Sequence, residues 1–210
     1  MARIDPETRV ERLRKANPKR ERDRGFADRI PPGQFLTEKF PVLTEGPTPK
    51  IDLGQWRLKI SGLVENSFEL TWEEFTALPR KTLMTDLHCV TRWSMLDSVW
   101  EGVPFTELMK RIRVKPEAKF VMEHSYGGYS TNMALKELLE DDVLLAYRYN
   151  GKPLERDHGG PMRMLVPKLY LWKSAKWLSG LEFIAENRPG FWERYGYHIH
   201  GDPWTEERFG

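Results

Sequence analysis

The sequence predicts an α+β domain: a mixed, β-rich fold with short helices. Runs of strand-type alternation recur along the chain, the helical stretches between them are brief, and turn signals are many. A doubly wound parallel sheet would need longer helices alternating regularly with its strands.

Residues 1–30 are charged and read as a peripheral arm. The basic stretch VERLRKANPKRERDRG carries interspersed acids (Glu11, Glu21, Asp23), which suits a solvated face. The domain proper is expected over residues 31–210. It begins with PPGQFLTEKFPVLTEGPTPKIDLG, whose five prolines and three glycines predict an extended strap. WRLKISGLV alternates like a strand. TWEEFTALP follows as a helix, with Thr71 and Glu74 spaced as a capping box and Pro79 just beyond its end. KTLMTDLHCV reads as a strand with Leu83, Thr85, Leu87 and Cys89 on one face, so Cys89 lies where that strand gives way to a loop. VPFTELMKRI is a short amphipathic helix, KFVMEH a strand and ALKELLE a helix. VLLAYRYNGKPL is a strand entering an Asn-Gly turn. MRMLVP and AKWLSGLEFI complete the set as strands.

Composition narrows the function classes. A balance of 33 basic and 31 acidic residues leaves a net charge of +2 and gives no reason to expect nucleic acid. The single cysteine excludes an internal disulfide framework. No apolar run reaches the roughly 18 residues of a membrane span. The start, MARIDPETRV, has neither the apolar core of a signal peptide nor a twin-arginine leader, so a cytoplasmic location is expected.

Two segments carry candidate chemistry. Cys89, in TDLHCVTRW, can be a small buried hydrophobe, a nucleophile or a metal ligand. His88 is adjacent, but successive strand side chains point to opposite faces, which places it badly as an activating base. A structural zinc site would want paired ligands, and the only others nearby in type are His198 and His200 of HIHG, which read better as surface-strand alternation. The second segment is LERDHGGPMRMLVPKLYLWKSAKW. Gly159 and Gly160 allow backbone N–H groups to approach an anion, and His158 and Arg163 flank them. Lys168, Lys173 and Lys176 follow, with no acid from 158 through 181. The pattern GxxxxGK[ST] is absent, so this is not a P-loop. From the residues alone there is one candidate soft ligand and one candidate phosphate-binding segment, with nothing to join them.

CVTRWS at 89–94, followed by WEGVPFTELM, resembles the cysteine motif of the molybdopterin-binding domain of the sulfite oxidase family. LLAYRYNGKPLERDHGGPMRMLVP, followed by WKSAKWLSGLEF, is similar to that family's second motif. The likeness spans about residues 33 to 200 and is nearest to the bacterial branch, which includes the methionine-sulfoxide reductase catalytic subunit. It implies an enzyme with molybdenum and molybdopterin as cofactors. Cys89 would be the metal's thiolate ligand and a catalytic residue, in keeping with the softness of the pairing. His158, Arg163, Lys173, Ser174, Ala175 and Lys176 would hold the pterin and its phosphate. Ser174 and Ala175 would act through backbone N–H groups, and the lysines as exposed cations. Phe35, Leu36 and Thr37 of the strap, and Ser125 after KFVMEH, match further cofactor contacts. Tyr195 is the expected catalytic tyrosine near the metal.

The sequence also departs from the family. Sulfite-oxidising relatives carry a substrate-binding arginine in the strap, where Thr37 stands here with Lys39 nearby. No fused haem or dimerisation domain is expected, and electrons are expected to pass to a separate partner or a small acceptor. The implied function is oxygen-atom transfer on a small S- or N-containing substrate. A non-catalytic cofactor-binding or electron-relay module is the alternative, and a structural domain with a core cysteine is a third reading.

Overall fold

The structure, a computed structural model, describes residues 28–210, so the expected N-terminal arm lies almost wholly outside the described residues. Within them the architecture is the mixed, β-rich one expected. One six-stranded sheet contains β1 (Phe35–Leu36), β5 (Trp93–Pro104), β8 (Leu144–Tyr149) and β10 (Arg163–Leu165) in that order, with β4 (Lys81–His88) on β5 and β9 (Lys152–Pro153) on β8. The second sheet has five strands in the order β3 (Phe68–Thr71), β2 (Arg57–Gly62), β11 (Leu178–Ile184), β6 (Phe120–Ser125) and β7 (Ser130–Ala134). The β1–β5 and β2–β11 pairs are parallel and the other strand pairs antiparallel.

The helices are short: α1 (Trp72–Thr76), α2 (Phe105–Met109), α3 (Leu135–Leu138) and α4 (Phe191–Arg194). At α1 the capping box is complete. Glu74 N–H donates to the Thr71 hydroxyl at 3.2 Å, and Thr71 N–H donates to the Glu74 carboxylate at 2.8 Å. Asn150 and Gly151 both take positive φ (48° and 82°), the conformation a tight hairpin between β8 and β9 requires.

The main core lies between the sheets. Leu58, Ile60, Val121, Leu181 and Phe183 of one meet Val103, Leu145 and Met164 of the other. A second apolar cluster covers the opposite face of the six-stranded sheet and includes Leu87, Cys89, Trp93, Met95 and Trp100. That sheet is therefore buried on both faces, which explains why β5 escaped the sequence reading. Its residues WSMLDSVWEGVP need no period-2 alternation when both faces are covered. β7 and the short β3 were likewise not separated from their neighbouring helix and turn signals.

The HIHG segment is not a strand. His200 bridges two elements, its Nδ1 lying 2.7 Å from Glu207 and its Nε2 3.1 Å from Glu137 of α3. Hydrogen bonding to Glu137, then to Glu207, holds its pKa above the ordinary imidazole value. The protonated state therefore stabilises the fold fully below about pH 6.5, and this contribution is lost as pH rises through the raised folded-state value. His200→Asn is expected to flatten that slope. The check is the urea midpoint of both proteins at about pH 5.5 and about pH 8, where wild type should lose more stability than the variant.

Candidate active site

Cys89 sits immediately after β4, at the start of a three-residue hairpin loop, Val90–Arg92. Cys89 N–H donates to Trp93 O and Arg92 N–H donates to Cys89 O, each at 2.9 Å, and Arg92 takes φ 75° to close the loop. The strap holds this hairpin from the side. Gln34 Nε2 donates to Cys89 O at 3.0 Å, Phe35 N–H to Arg92 O at 2.8 Å, and Thr37 N–H to Ser94 O at 2.9 Å. The thiol is buried, accepts the Thr91 hydroxyl at 3.1 Å, and faces a cavity of about 320 Å³. Burial pushes its pKa up, against the hydrogen bonds from Thr91 and the nearby guanidiniums of Arg163 and Arg208. His88 points to the other face, with Nδ1 2.9 Å from the Ser94 hydroxyl, and burial lowers its pKa to about 4.

The second segment lines the same cavity. Arg163, Ser174 and Lys176 share its wall with Cys89 and Thr91, so the two constellations that the sequence left separate are joined in space. Arg163 is buried and donates only to carbonyls: His158 O at 3.0 Å, Ser174 O at 2.8 Å and Met164 O at 3.2 Å. Lys176 Nζ donates to Asp157 O at 2.6 Å and Leu43 O at 2.9 Å. Neutral acceptors orient these cations without cancelling their charge, and neither forms an ion pair with a described residue. Desolvation lowers Arg163 to about 10. It lowers Lys176 to about 7, helped by repulsion from Arg163. Two desolvated cations on one cavity wall suit an anion.

Gly159 makes room for it. With φ +110°, a Cβ there would stand 3.1 Å from the Cβ atoms of both Arg163 and Lys176. His158 stacks on Phe40 of the strap, centroids 4.0 Å apart, and its buried Nδ1 has no partner among the described residues. The Ser125 hydroxyl, at the end of β6, is likewise buried and unpartnered. A thiol, two cations in no ion pair with a described residue, a glycine cradle and two buried unpartnered polar atoms suit a metal held by sulfur together with a phosphate-bearing organic group.

Several expected site residues sit elsewhere. Lys173 is wholly buried. Its Nζ donates to Glu193 at 2.6 Å, Ile199 O at 2.6 Å, and Asn132 Oδ1 and O at 3.0 and 3.1 Å, so it is a core cation rather than an exposed phosphate ligand. The spacing Lys173-x-x-Lys176 could not reveal this, because the short 3-10 turn Leu171–Lys173 directs the two ammoniums to different surroundings. Ala175 N–H donates to the buried Glu123 carboxyl at 3.1 Å and Ser174 N–H to Leu171 O at 3.1 Å, so these amides already have protein acceptors. Lys168 pairs with Glu140 at 3.4 Å.

Tyr195 is 70% exposed and packs on Phe191 and Trp192, outside the cavity wall. Gly196 turns the chain with positive φ after α4, and Tyr197 takes the cavity position, stacked 5.0 Å from Trp192. Phe35 and Leu36 are exposed and pair through their backbones with Trp93 and Ser94, beside Cys89 rather than in the cavity. Sequence reasoning did not find Phe40, Tyr129, Trp172 or Trp192, which line the cavity; scattered aromatics carry no spacing signal.

Residues 45–192 match the family described as the oxidoreductase molybdopterin binding domain. The chain is 48% identical over 182 residues to the uncharacterized oxidoreductase YuiH of Bacillus subtilis, covering 86% of this chain and 92% of that one. It is 30% identical over 176 residues to a putative protein-methionine-sulfoxide reductase subunit, YedZ1, of Azospira oryzae, covering 82% of this chain and 66% of the relative. In fold it resembles the sulfane dehydrogenase SoxCD of Paracoccus pantotrophus, with a TM-score of 0.62 and 22% identity over 81% of this chain and 54% of that one. Among the described residues no helix is long and apolar enough to cross a membrane. With a cysteine and two cations on one cavity wall and a family match over residues 45–192, the chain belongs to the sulfite oxidase family of molybdopterin-binding oxidoreductases.

Proposed function

We propose that this protein is a molybdenum–molybdopterin oxidoreductase that transfers an oxygen atom to or from a small S- or N-containing substrate and exchanges electrons with a separate partner in the cytoplasm. The observation that carries this reading is the placement of Arg163 and Lys176, buried or half-buried and in no ion pair with a described residue, on the cavity wall that also presents Cys89. Cys89 would hold the metal, and Arg163, Lys176 and His158 the anionic and pterin ends of the cofactor, with Ser125 a further contact. When bound, the group supplies the two-electron redox chemistry and the oxygen-accepting centre.

The chain supplies position and environment. The strap and the hairpin backbone fix the direction of the Cys89 sulfur, and the Thr91 hydroxyl, donating at 3.1 Å, favours its thiolate form. The Phe40–His158 stack and the ring of Trp93 exclude water from the inner wall. Tyr197 and Trp192 line the same cavity and would bound the space left for a substrate. Thr37, at the position where sulfite-oxidising relatives carry arginine, supports an uncharged oxide over sulfite as substrate.

Dye-linked turnover tests this. Methionine sulfoxide or trimethylamine oxide is expected to reoxidise a reduced dye in the presence of the loaded protein, and sulfite is expected to give little or no dye reduction. Turnover of none of the three by protein that retains the cofactor would favour the relay module instead.

A further inference from the structure

A second guanidinium, that of Arg208, lies close to the cysteine hairpin. Arg208 is 6% exposed, and its Nη1 donates to Val90 O at 2.7 Å. Its carbon Cζ lies 5.0 Å above the centroid of the buried Tyr170 ring, which sets the plane of the fork. Nη2 reaches Pro32 O at 3.4 Å, and Glu206 is 3.7 Å away. Arg208 thus ties together three segments distant in sequence: the strap, the cysteine hairpin and the 201–210 segment.

The hairpin's carbonyls are apportioned among outside donors. Cys89 O takes Gln34, Val90 O takes Arg208, and Arg92 O takes Phe35. Of these donors only Arg208 brings a charge, and hydrogen bonds from charged donors are the stronger ones. The Val90 carbonyl belongs to the peptide plane between Val90 and Thr91, so holding it places Thr91, whose hydroxyl donates to the Cys89 sulfur at 3.1 Å. Gln34 and the hairpin bonds hold the Cys89 backbone, and the Thr91 hydroxyl steadies the sulfur itself.

We propose that Arg208 is a positioning residue for the Cys89 hairpin, fixing the Val90–Thr91 peptide and, through the Thr91 hydroxyl, the sulfur that faces the cavity. This rests on the reading of Cys89 as a metal ligand, but its mechanical part does not need the metal. The reporters are the Cys89 and Arg92 amides, hydrogen-bonded across the hairpin at 2.9 Å.

The experiment compares wild type, Arg208→Gln, Arg208→Lys and His200→Asn. His200→Asn loosens the same terminal segment at Glu137 and Glu207 while leaving the guanidinium in place. Two readouts are taken: amide hydrogen exchange of residues 89–92 in cofactor-free protein, and the sulfur-to-molybdenum charge-transfer absorption in loaded protein. Arg208→Gln is expected to speed hairpin exchange by about ten- to a hundredfold, in line with losing a charge-assisted hydrogen bond, and to shift the absorption band. Arg208→Lys, which keeps the charge and a single donor, should fall between. His200→Asn should match wild type in both.

Unchanged exchange and an unmoved band in Arg208→Gln would overturn the proposal, and so would an equal effect from His200→Asn. If Arg208→Gln does not fold, faster hairpin exchange in Arg208→Lys supports the proposal and wild-type exchange overturns it. Wild-type protein without molybdenum would sink the metal-ligand reading alone, and the exchange arm would still decide the role of Arg208.

Discussion

Cys89→Ser is expected to purify folded and nearly devoid of molybdenum, with the oxidoreductase activity lost by more than the ~10–100-fold typical of changes behind a metal's direct ligands. The hydroxyl replaces a thiol that is buried at the edge of an apolar cluster, with the Thr91 hydroxyl still beside it as a partner. The stability cost is therefore modest, about 1 kcal/mol. A serine oxygen is a harder, much weaker ligand than a thiolate for this metal. The check pairs metal analysis with a urea unfolding curve. Wild-type molybdenum content in Cys89→Ser would remove the cysteine from the site, whereas a collapse of folding would show it to be core filler.

Lys173→Met is expected to destabilise the fold by about 3–5 kcal/mol, the usual cost of leaving one member of a buried ion pair unpaired. Both side chains of the Lys173–Glu193 pair are 1% exposed and 2.6 Å apart. Glu193 Oε1 also accepts from Thr131 at 2.8 Å and from Trp172 Nε1 at 3.1 Å, so the carboxylate is locked in place and cannot turn to water. That cost is a large part of the roughly 5–15 kcal/mol that holds a domain folded. Denaturant midpoints of the single variants and of Lys173→Met with Glu193→Leu form the test. The double variant should recover much of the loss, because no charge is left buried alone. A change below about 0.5 kcal/mol, as for an ordinary surface lysine, would contradict the burial.

That lysine marks where sequence and structure part. An acid-free run holding His158, Arg163, Lys173 and Lys176 reads as a cationic segment, and its cationic character is correct. Which cation faces the cavity is set by the 3-10 turn over Leu171–Lys173 and by a carboxylate 20 residues later, and spacing does not carry that information. Cys89 was legible at a strand end because β4 has a clear apolar face ending in a loop. β5 was not, because a strand covered on both sides loses its alternation. Tyr195 and Tyr197 differ only in which side of Gly196 they fall, and the positive φ of that glycine sends the second tyrosine into the cavity. The neighbours that hold the hairpin, Gln34 and Arg208, come from opposite ends of the described chain and become meaningful only once their distances are known.

The central claim is that one cavity holds one metal through Cys89 and one pterin phosphate through Arg163 and Lys176. Molybdenum and pterin content per chain, measured on protein purified from a host that makes the cofactor, tests it most directly. About one of each per chain is expected, since the chain offers a single thiolate to a soft-ligated metal. Folded protein from such a host that carries neither molybdenum nor pterin would contradict it.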